Sequence, residues 1–136
     1  MQEYELAGIE VIARGVAKRG GKVLLCKAKS STTTYLPGGH VEFGEKARQA
    51  LVREVREEMG IPSAASDFLG VVENSFTQHG KPHAEVNLVY KLVIDPSAPT
   101  VSQEDWIEFL WWDVADIASA RLLPSEMIPI VQSCPG

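Results

Sequence analysis

Cysteine is scarce in this chain: Cys26 and Cys134 are its 2 cysteines, far apart and outside any Cys-x-x-Cys or Cys/His spacing. Neither a disulfide framework nor a zinc site follows from them. Cys26 lies inside the apolar run Lys22–Ala28 and reads as core. Long apolar runs are missing too, since none approaches the ~18 residues needed to span a bilayer. The start, Met1-Gln2-Glu3-Tyr4-Glu5, lacks the basic-then-apolar order of a signal peptide. A cytoplasmic protein with no membrane contact is expected. Positive charge is in deficit, with 13 Lys and Arg against 18 Asp and Glu and a net charge of −5. Non-specific nucleic-acid affinity comes from Lys and Arg on phosphates, so stable nucleic-acid binding is not expected. Internal repeats, low-complexity tracts and a second composition are absent, and one domain over residues 1–136 is the expectation. The Asp-rich loop of an EF-hand is also absent, which argues against a Ca²⁺-stabilised structural domain.

What the chain does have is an ordinary globular composition, 45% hydrophobic and 23% charged, and one unusual stretch, GHVEFGEKARQALVREVREEMGI from Gly39 to Ile61. A glycine turn, Leu36-Pro37-Gly38-Gly39, leads into apolar residues Leu51, Val52, Val55 and Met59 at helical spacing, so a helix from about Lys46 to Met59 is predicted. Glu54, Glu57 and Glu58 then share another arc of that helix, with Ala47 and Ala50. Carboxylates at i, i+3 and i+4 are about 5–6 Å apart at their Cβ atoms and repel unless something positive sits among them. Arg53 supplies one charge for three acids. A hard divalent cation is the natural complement, because it takes carboxylate and carbonyl oxygens and keeps water and substrate phosphates as further ligands. An acidic protein that handles phosphates needs such an ion to invert the local field.

Read by spacing, the stretch is Gly39, five residues, Glu45, seven residues, then Arg53-Glu54-Val55-Arg56-Glu57-Glu58-Met59-Gly60-Ile61. It resembles the box that defines the Nudix family, G-x5-E-x7-R-E-U-x-E-E-x-G-U with U aliphatic, at every defined position. The resemblance implies an α/β/α sandwich around a mixed β-sheet, with the box forming loop, helix and loop. It implies hydrolysis of a nucleoside diphosphate linked to another group, with Mg²⁺ or Mn²⁺. It also implies roles: Glu57 and Glu58 as metal ligands, Glu54 as ligand or general base, the Gly39 carbonyl as a further ligand, Arg53 orienting Glu54 or Glu57, and Glu45 bracing the loop. Glu42 stands between a solvated loop acid and a group reaching metal through water. Many relatives draw a further carboxylate from a late loop before a tryptophan-bearing strand. Glu104 occupies that place here, with Glu108 and Glu85 as rivals.

The rest of the chain reads as strands around that helix. Ile9–Ala17 and Lys22–Ala28 are expected to pair as a hairpin through Arg19-Gly20-Gly21. Ser30–Thr34 is a polar loop expected at a mobile rim of the site. Pro62–Asp67 reads as loop and Phe68–Ser75 as a third strand. A turn within Thr77–Pro82 leads to a strand from Ala84 to Ile94, with Val86, Leu88, Tyr90 and Leu92 on one face. After a break at Asp95–Thr100 comes an aromatic strand, Trp106–Trp112, and Asp113 can cap a short helix to about Ala118. A last helix starts near Pro124, with Pro129 either kinking it or forcing a later start. Hairpins in place of βαβ repeats predict a mixed sheet with helices on both faces.

Substrate contacts are expected from Arg14, for phosphate, and from aromatic faces at Tyr35, Phe76, Phe43 or Trp106. Phe109, Trp111 and Trp112 read as core, and His79 and His83 as ordinary loop histidines. The sequence downstream of the box carries none of the secondary signals that mark the ADP-ribose, dinucleoside polyphosphate or NADH members of the family. A (deoxy)nucleoside triphosphate or modified nucleotide is therefore the first expectation for the small-molecule substrate. The alternatives are an ADP-ribose or nucleotide-sugar pyrophosphatase and a non-catalytic nucleotide-sensing module. The apolar ends Leu122-Leu123 and Ile128–Val131 could pair two copies as a homodimer.

Overall fold

The structure, a computed structural model, describes residues 8–136. The signal-peptide reading of Met1 to Glu5 lies outside the described residues. Among the described residues seven strands and two α-helices follow one another: β1 (Glu10–Val16), β2 (Lys18–Arg19), β3 (Lys22–Ala28), β4 (Gly38–His40), α1 (Ala47–Met59), β5 (Ala64–Gln78), β6 (Lys81–Val93), β7 (Ile107–Asp113), a 3-10 helix (Val114–Ala120) and α2 (Met127–Ser133). The strands form two sheets, in the orders β4-β1-β6-β5 and β2-β3-β7. The first is mixed, because β1 runs parallel to β6 and antiparallel to β4.

Consecutive side chains on a strand point to opposite faces, and the chain uses this to build two cores. Leu24 packs with Ala13, Leu51, Val55, Met59, Tyr90 and Leu92 under α1. Its neighbour Leu25 packs with Val16, Val23, Ile117, Leu122, Met127 and Val131 under the 3-10 helix and α2. Helices therefore cover both sides, and the architecture is the expected α/β sandwich.

The first hairpin needs correction. Glycines Gly20 and Gly21, both at positive φ, do turn the chain, but only the two residues of β2 pair with β3. β1 leaves for the other sheet, because β6 matches all seven of its residues, Glu10 to Val16. The second hairpin is longer than expected. β5 begins at Ala64 and bulges between Ala65 and Gly70, and His79 and Gly80, both at positive φ, make its two-residue turn. Trp111 and Trp112 pack against opposite cores. The last helix takes the later start, at Met127, with Pro129 in its first turn, where a missing N–H costs no helical hydrogen bond. Asp113 precedes the 3-10 helix without a side-chain capping bond. The C-terminal apolar residues offered for dimerisation are largely in use: Leu122 and Val131 are buried within the chain, and Ile128 and Ile130 pack on the same core.

Candidate active site

α1 begins where Gln49 Oε1 accepts the Lys46 N–H at 2.9 Å, and ends at Gly60, whose left-handed backbone (φ 70°) carries an N–H to the Arg56 carbonyl. Leu51, Val55, Met59 and Ala50 are its buried side. Ala50, expected on the acidic arc, belongs to the core, while Val52 is only half-buried. The acids flank this buried stripe at graded depth. Glu54 is 18% exposed at its side chain and Glu57 56%, so Glu54 faces the protein and Glu57 the solvent.

β4 brings the glycine turn to the acids. Gly39 pairs with Ala13 of β1, and a Cβ at Gly39 would collide with the Glu54 carboxylate. Only a bare Cα lets strand and carboxylate approach this closely. Gly38, at φ 141°, would drive a Cβ into the Ala13 backbone.

Arg53 fastens the box together. Its Nε donates to Glu45 at 2.8 Å, its Nη1 to Glu54 at 3.0 Å and to Glu57 at 3.2 Å, and its Nη2 to the His40 carbonyl at 3.0 Å. Glu42 lies 3.3 Å from the same guanidinium. One planar fork thereby ties the 40–45 loop to the helix. The Glu45 carboxyl is held below its usual range by the Arg53 hydrogen bond.

Glu58 differs from its neighbours. Its Oε1 is buried and has no hydrogen-bond partner. Burial, reinforced by the charge on Glu54 and opposed by Arg14, pushes its pKa up to about 8. The Glu54 carboxyl is also raised, by burial first, against the pull of Arg53. An unpaired buried carboxylate oxygen costs free energy unless something positive meets it. Among the described residues no three acids or histidines are already drawn into a ready metal cage. Two of the three box acids are instead engaged by Arg53, and Glu58 is left open.

Several predicted residues converge here. Arg14 donates to the Leu36 carbonyl at 3.0 Å, sits 5.5 Å from the Tyr35 ring centre, and bears on the charges of both Glu54 and Glu58. Tyr35 is pushed up to about 12, mainly by burial and then by Cys26 and Glu58. Glu104 raises both Glu58 and Tyr35 by its charge, which brings the late loop to the same cleft. Its rivals go elsewhere: Glu108 pairs with Lys27 at 3.3 Å, and Glu85 stands beside Glu10 and Asn74 in the sheet.

Phe76 is not brought to the acids. It stacks on His83 at 4.9 Å near the hairpin turn, while His83 bonds Glu10 at 2.9 Å. His83 precedes Leu88, the β6 residue in the row of Ala13 and Gly39, by five positions, about 16 Å along a strand. The polar loop is also more anchored than expected, since Thr34 is buried with its hydroxyl on the Ala120 carbonyl. Sequence reasoning missed Gln103. Its N–H donates to the Glu58 carbonyl at 2.7 Å, and its side-chain amide lies 3.5 Å from the Met59 carbonyl. The late loop is thus clipped to the end of α1 with Glu104 next in line, and no periodicity marks a single polar residue for that work.

Comparison with known proteins agrees with this geometry. A family model described as NUDIX domain matches residues 8–134, and the chain belongs to the Nudix family. Over 64 residues it is 39% identical to an ADP-ribose pyrophosphatase of Methanocaldococcus jannaschii, covering 45% of this chain and 38% of that protein. Over 65 residues it is 40% identical to the CTP pyrophosphohydrolase of Escherichia coli, covering 45% of this chain and 47% of that protein. The chain thus spans less than half the length of these two curated relatives. Among solved structures, the MutT NUDIX hydrolase from Burkholderia pseudomallei superposes with a TM-score of 0.73 at 25% identity, over 93% of this chain and 99% of that one.

Proposed function

We propose that this single domain is a divalent-cation-dependent pyrophosphohydrolase that cleaves the diphosphate bridge of a nucleoside diphosphate joined to another group. The observation that carries the reading is the buried, unpartnered Oε1 of Glu58 beside two further glutamates and a bare glycine strand. That donor set, carboxylates plus a backbone carbonyl, suits a hard cation. Glu54, Glu57, Glu58 and the Gly39 carbonyl would hold it, as Mg²⁺ or Mn²⁺. When bound, the ion supplies neutralisation of the diphosphate and acidifies water for attack.

The chain's own residues do the rest. Arg14, whose hydrogen bond goes to a carbonyl and not to a carboxylate, keeps its full positive charge for a substrate phosphate. The half-buried Tyr35 offers its ring beside it. Arg53 fixes Glu54 in orientation, and either Glu54 or Glu104 takes the proton from the attacking water. Phe76, at the far end of the hairpin, is withdrawn from the substrate set.

We place the substrate among (deoxy)nucleoside triphosphates and modified nucleotides, a choice supported by the CTP-hydrolysing relative. The ADP-ribose relative, equally similar over an equal share of the chain, favours ADP-ribose or a nucleotide sugar as the second reading. Among the described residues no helix is long and apolar enough to cross a membrane, and we assign the domain to the cytoplasm. Exposed Leu123 remains as a residue through which two copies could pair. The deciding experiment is phosphate and monophosphate release from a panel of dNTPs, oxidised dNTPs, ADP-ribose, nucleotide sugars and dinucleoside polyphosphates, first with Mg²⁺ and then with chelator. Turnover that chelation abolishes is the expected result. Preferential turnover of ADP-ribose would select the second substrate, and no release from any member would point to a non-catalytic nucleotide-sensing module.

A further inference from the structure

The acidic cleft has a basic counterpart elsewhere in the molecule. At the end of β1 remote from Glu10, a cavity of about 400 Å³ is lined by Lys18, Arg19, Lys91, Leu92, Ile94 and Pro96 among others. That volume falls in the range of roughly 300–1,000 Å³ common to small-molecule sites. No residue of the Gly39–Ile61 box lines it. Lys18 lies five residues beyond Ala13, the partner of Gly39, about 16 Å along an extended chain.

Three cations meeting at one cavity is unusual in a chain of net charge −5. Among the described residues none of the three forms an ion pair. Lys18 and Arg19 donate to uncharged groups, with the Asp95 carboxylate near enough to feel the Arg19 charge. Lys18 donates to the Cys134 carbonyl. Arg19 donates to the Asp95 and Ala98 carbonyls at 3.1 and 3.4 Å and lies 4.4 Å over the Trp111 ring. Carbonyls and an indole orient a cation without cancelling its charge. Lys18 and Lys91 both bear on the Cys134 thiol, as does the opposite charge of Asp67. Asp67 and Asp95 offset part of this charge, although among the described residues neither forms an ion pair with any of the three. Beside the cations, exposed Val93 and Pro96 and partly buried Ile94 give the cavity an apolar wall that an inorganic ion would not use.

We propose that this cavity is an anion site, separate from the acidic cleft, that takes a small organic phosphate of mononucleotide size. Its phosphate lies between Lys18 and Lys91 with Arg19 alongside, and its organic part lies along Val93, Ile94 and Pro96. The acidic cleft needs a cation before it can attract phosphate, whereas this cavity does not. Binding here therefore survives chelation, and its failure would leave the hydrolase reading untouched.

The test is titration of the chelated protein with AMP and, separately, with inorganic phosphate, followed by amide shifts in two-dimensional NMR. AMP is expected to shift the amides of Lys18 to Gly20 and Lys91 to Ile94, to leave Glu54 to Glu58 in place, and to bind more tightly than phosphate. Lys91→Gln, whose side chain makes no hydrogen bond or ion pair among the described residues, is expected to weaken AMP roughly tenfold, as loss of a charge-assisted contact does. Lys18→Gln should do the same, but that residue also anchors the Cys134 carbonyl, so Lys91→Gln is the decisive variant. Shifts confined to the box, unchanged affinity in Lys91→Gln, phosphate binding as tightly as AMP, or no binding at all would overturn the proposal.

Discussion

At the scale of the residue, Glu58 is the group whose environment is hardest to explain without a ligand. Its carboxyl titrates near 8 in the fold and near the ordinary glutamate value when unfolded. Between those values the folded protein holds a proton that the unfolded chain has released. The metal-free protein therefore loses stability as pH rises from about 4.5 to about 8, on the order of 2–4 kcal/mol, and then levels off. The raised Glu54 adds to the same trend. Thermal unfolding in chelator across this window should show the decline in the native chain and a flatter profile in Glu58→Gln. The same substitution should lower kcat by roughly 100-fold or more, since a charge that complements the reaction is gone. Gly39→Ala acts differently. Its Cβ meets the Glu54 carboxylate, so strand or acid must move, and kcat/KM should fall roughly tenfold or more while the fold survives with about 1–3 kcal/mol less stability. Steady-state kinetics paired with a melting curve separate the two cases.

At the scale of the element, α1 is both wall and instrument: one side closes a core and the other presents acids to β4. This much could be read from the chain. Leu51, Val55 and Met59 recur as a helix requires, and the helix bounds match to within one residue. The position of Arg53 in the box suggested an orienting role, but not its reach to Glu45, Glu42 and the His40 carbonyl, because a fork with several donors has no single partner that spacing can name. Arg53→Lys should keep the charge and lose the fork. Its expected effect is a fall in kcat larger than any rise in KM, with a Tm lower by a few degrees, as two or more charge-assisted bonds are lost. Glu104 was legible as a late-loop acid only through family resemblance, and the Gln103 clip that delivers it was not legible at all. The distance of Phe76 from the acids was not legible, because an exposed aromatic looks alike in sequence whether it flanks a site or a distant turn. If Glu104→Gln leaves turnover unchanged while Glu54→Gln abolishes it, Glu54 is the base and the late loop only closes the cleft.

At the scale of the whole molecule, two cores share one pair of sheets, and the expected first hairpin failed for a reason of that scale. Arg19-Gly20-Gly21 encodes a turn, but whether β1 then stays with β3 is decided by β6, some seventy residues away in sequence, which offers β1 a full parallel ladder. Local chemistry cannot report such competition. Leu25, fully buried in the core under α2, tests whether that core supports the cleft across the sheet. Leu25→Ala should destabilise by about 2–5 kcal/mol, while catalysis in the folded fraction stays near native, because the acids rest on the other core. The central claim, that the molecule is arranged to hold a divalent cation on Glu58 and its neighbours, is tested most directly by calorimetric titration of Mn²⁺ at pH 7 in two buffers of different ionisation enthalpy. The native chain should bind with release of about one proton, since a carboxyl that titrates near 8 must give up its proton to become a ligand. Glu58→Gln should bind far more weakly and release none. Equal affinity in the two proteins, or no Mn²⁺ binding by the native chain, would contradict the account.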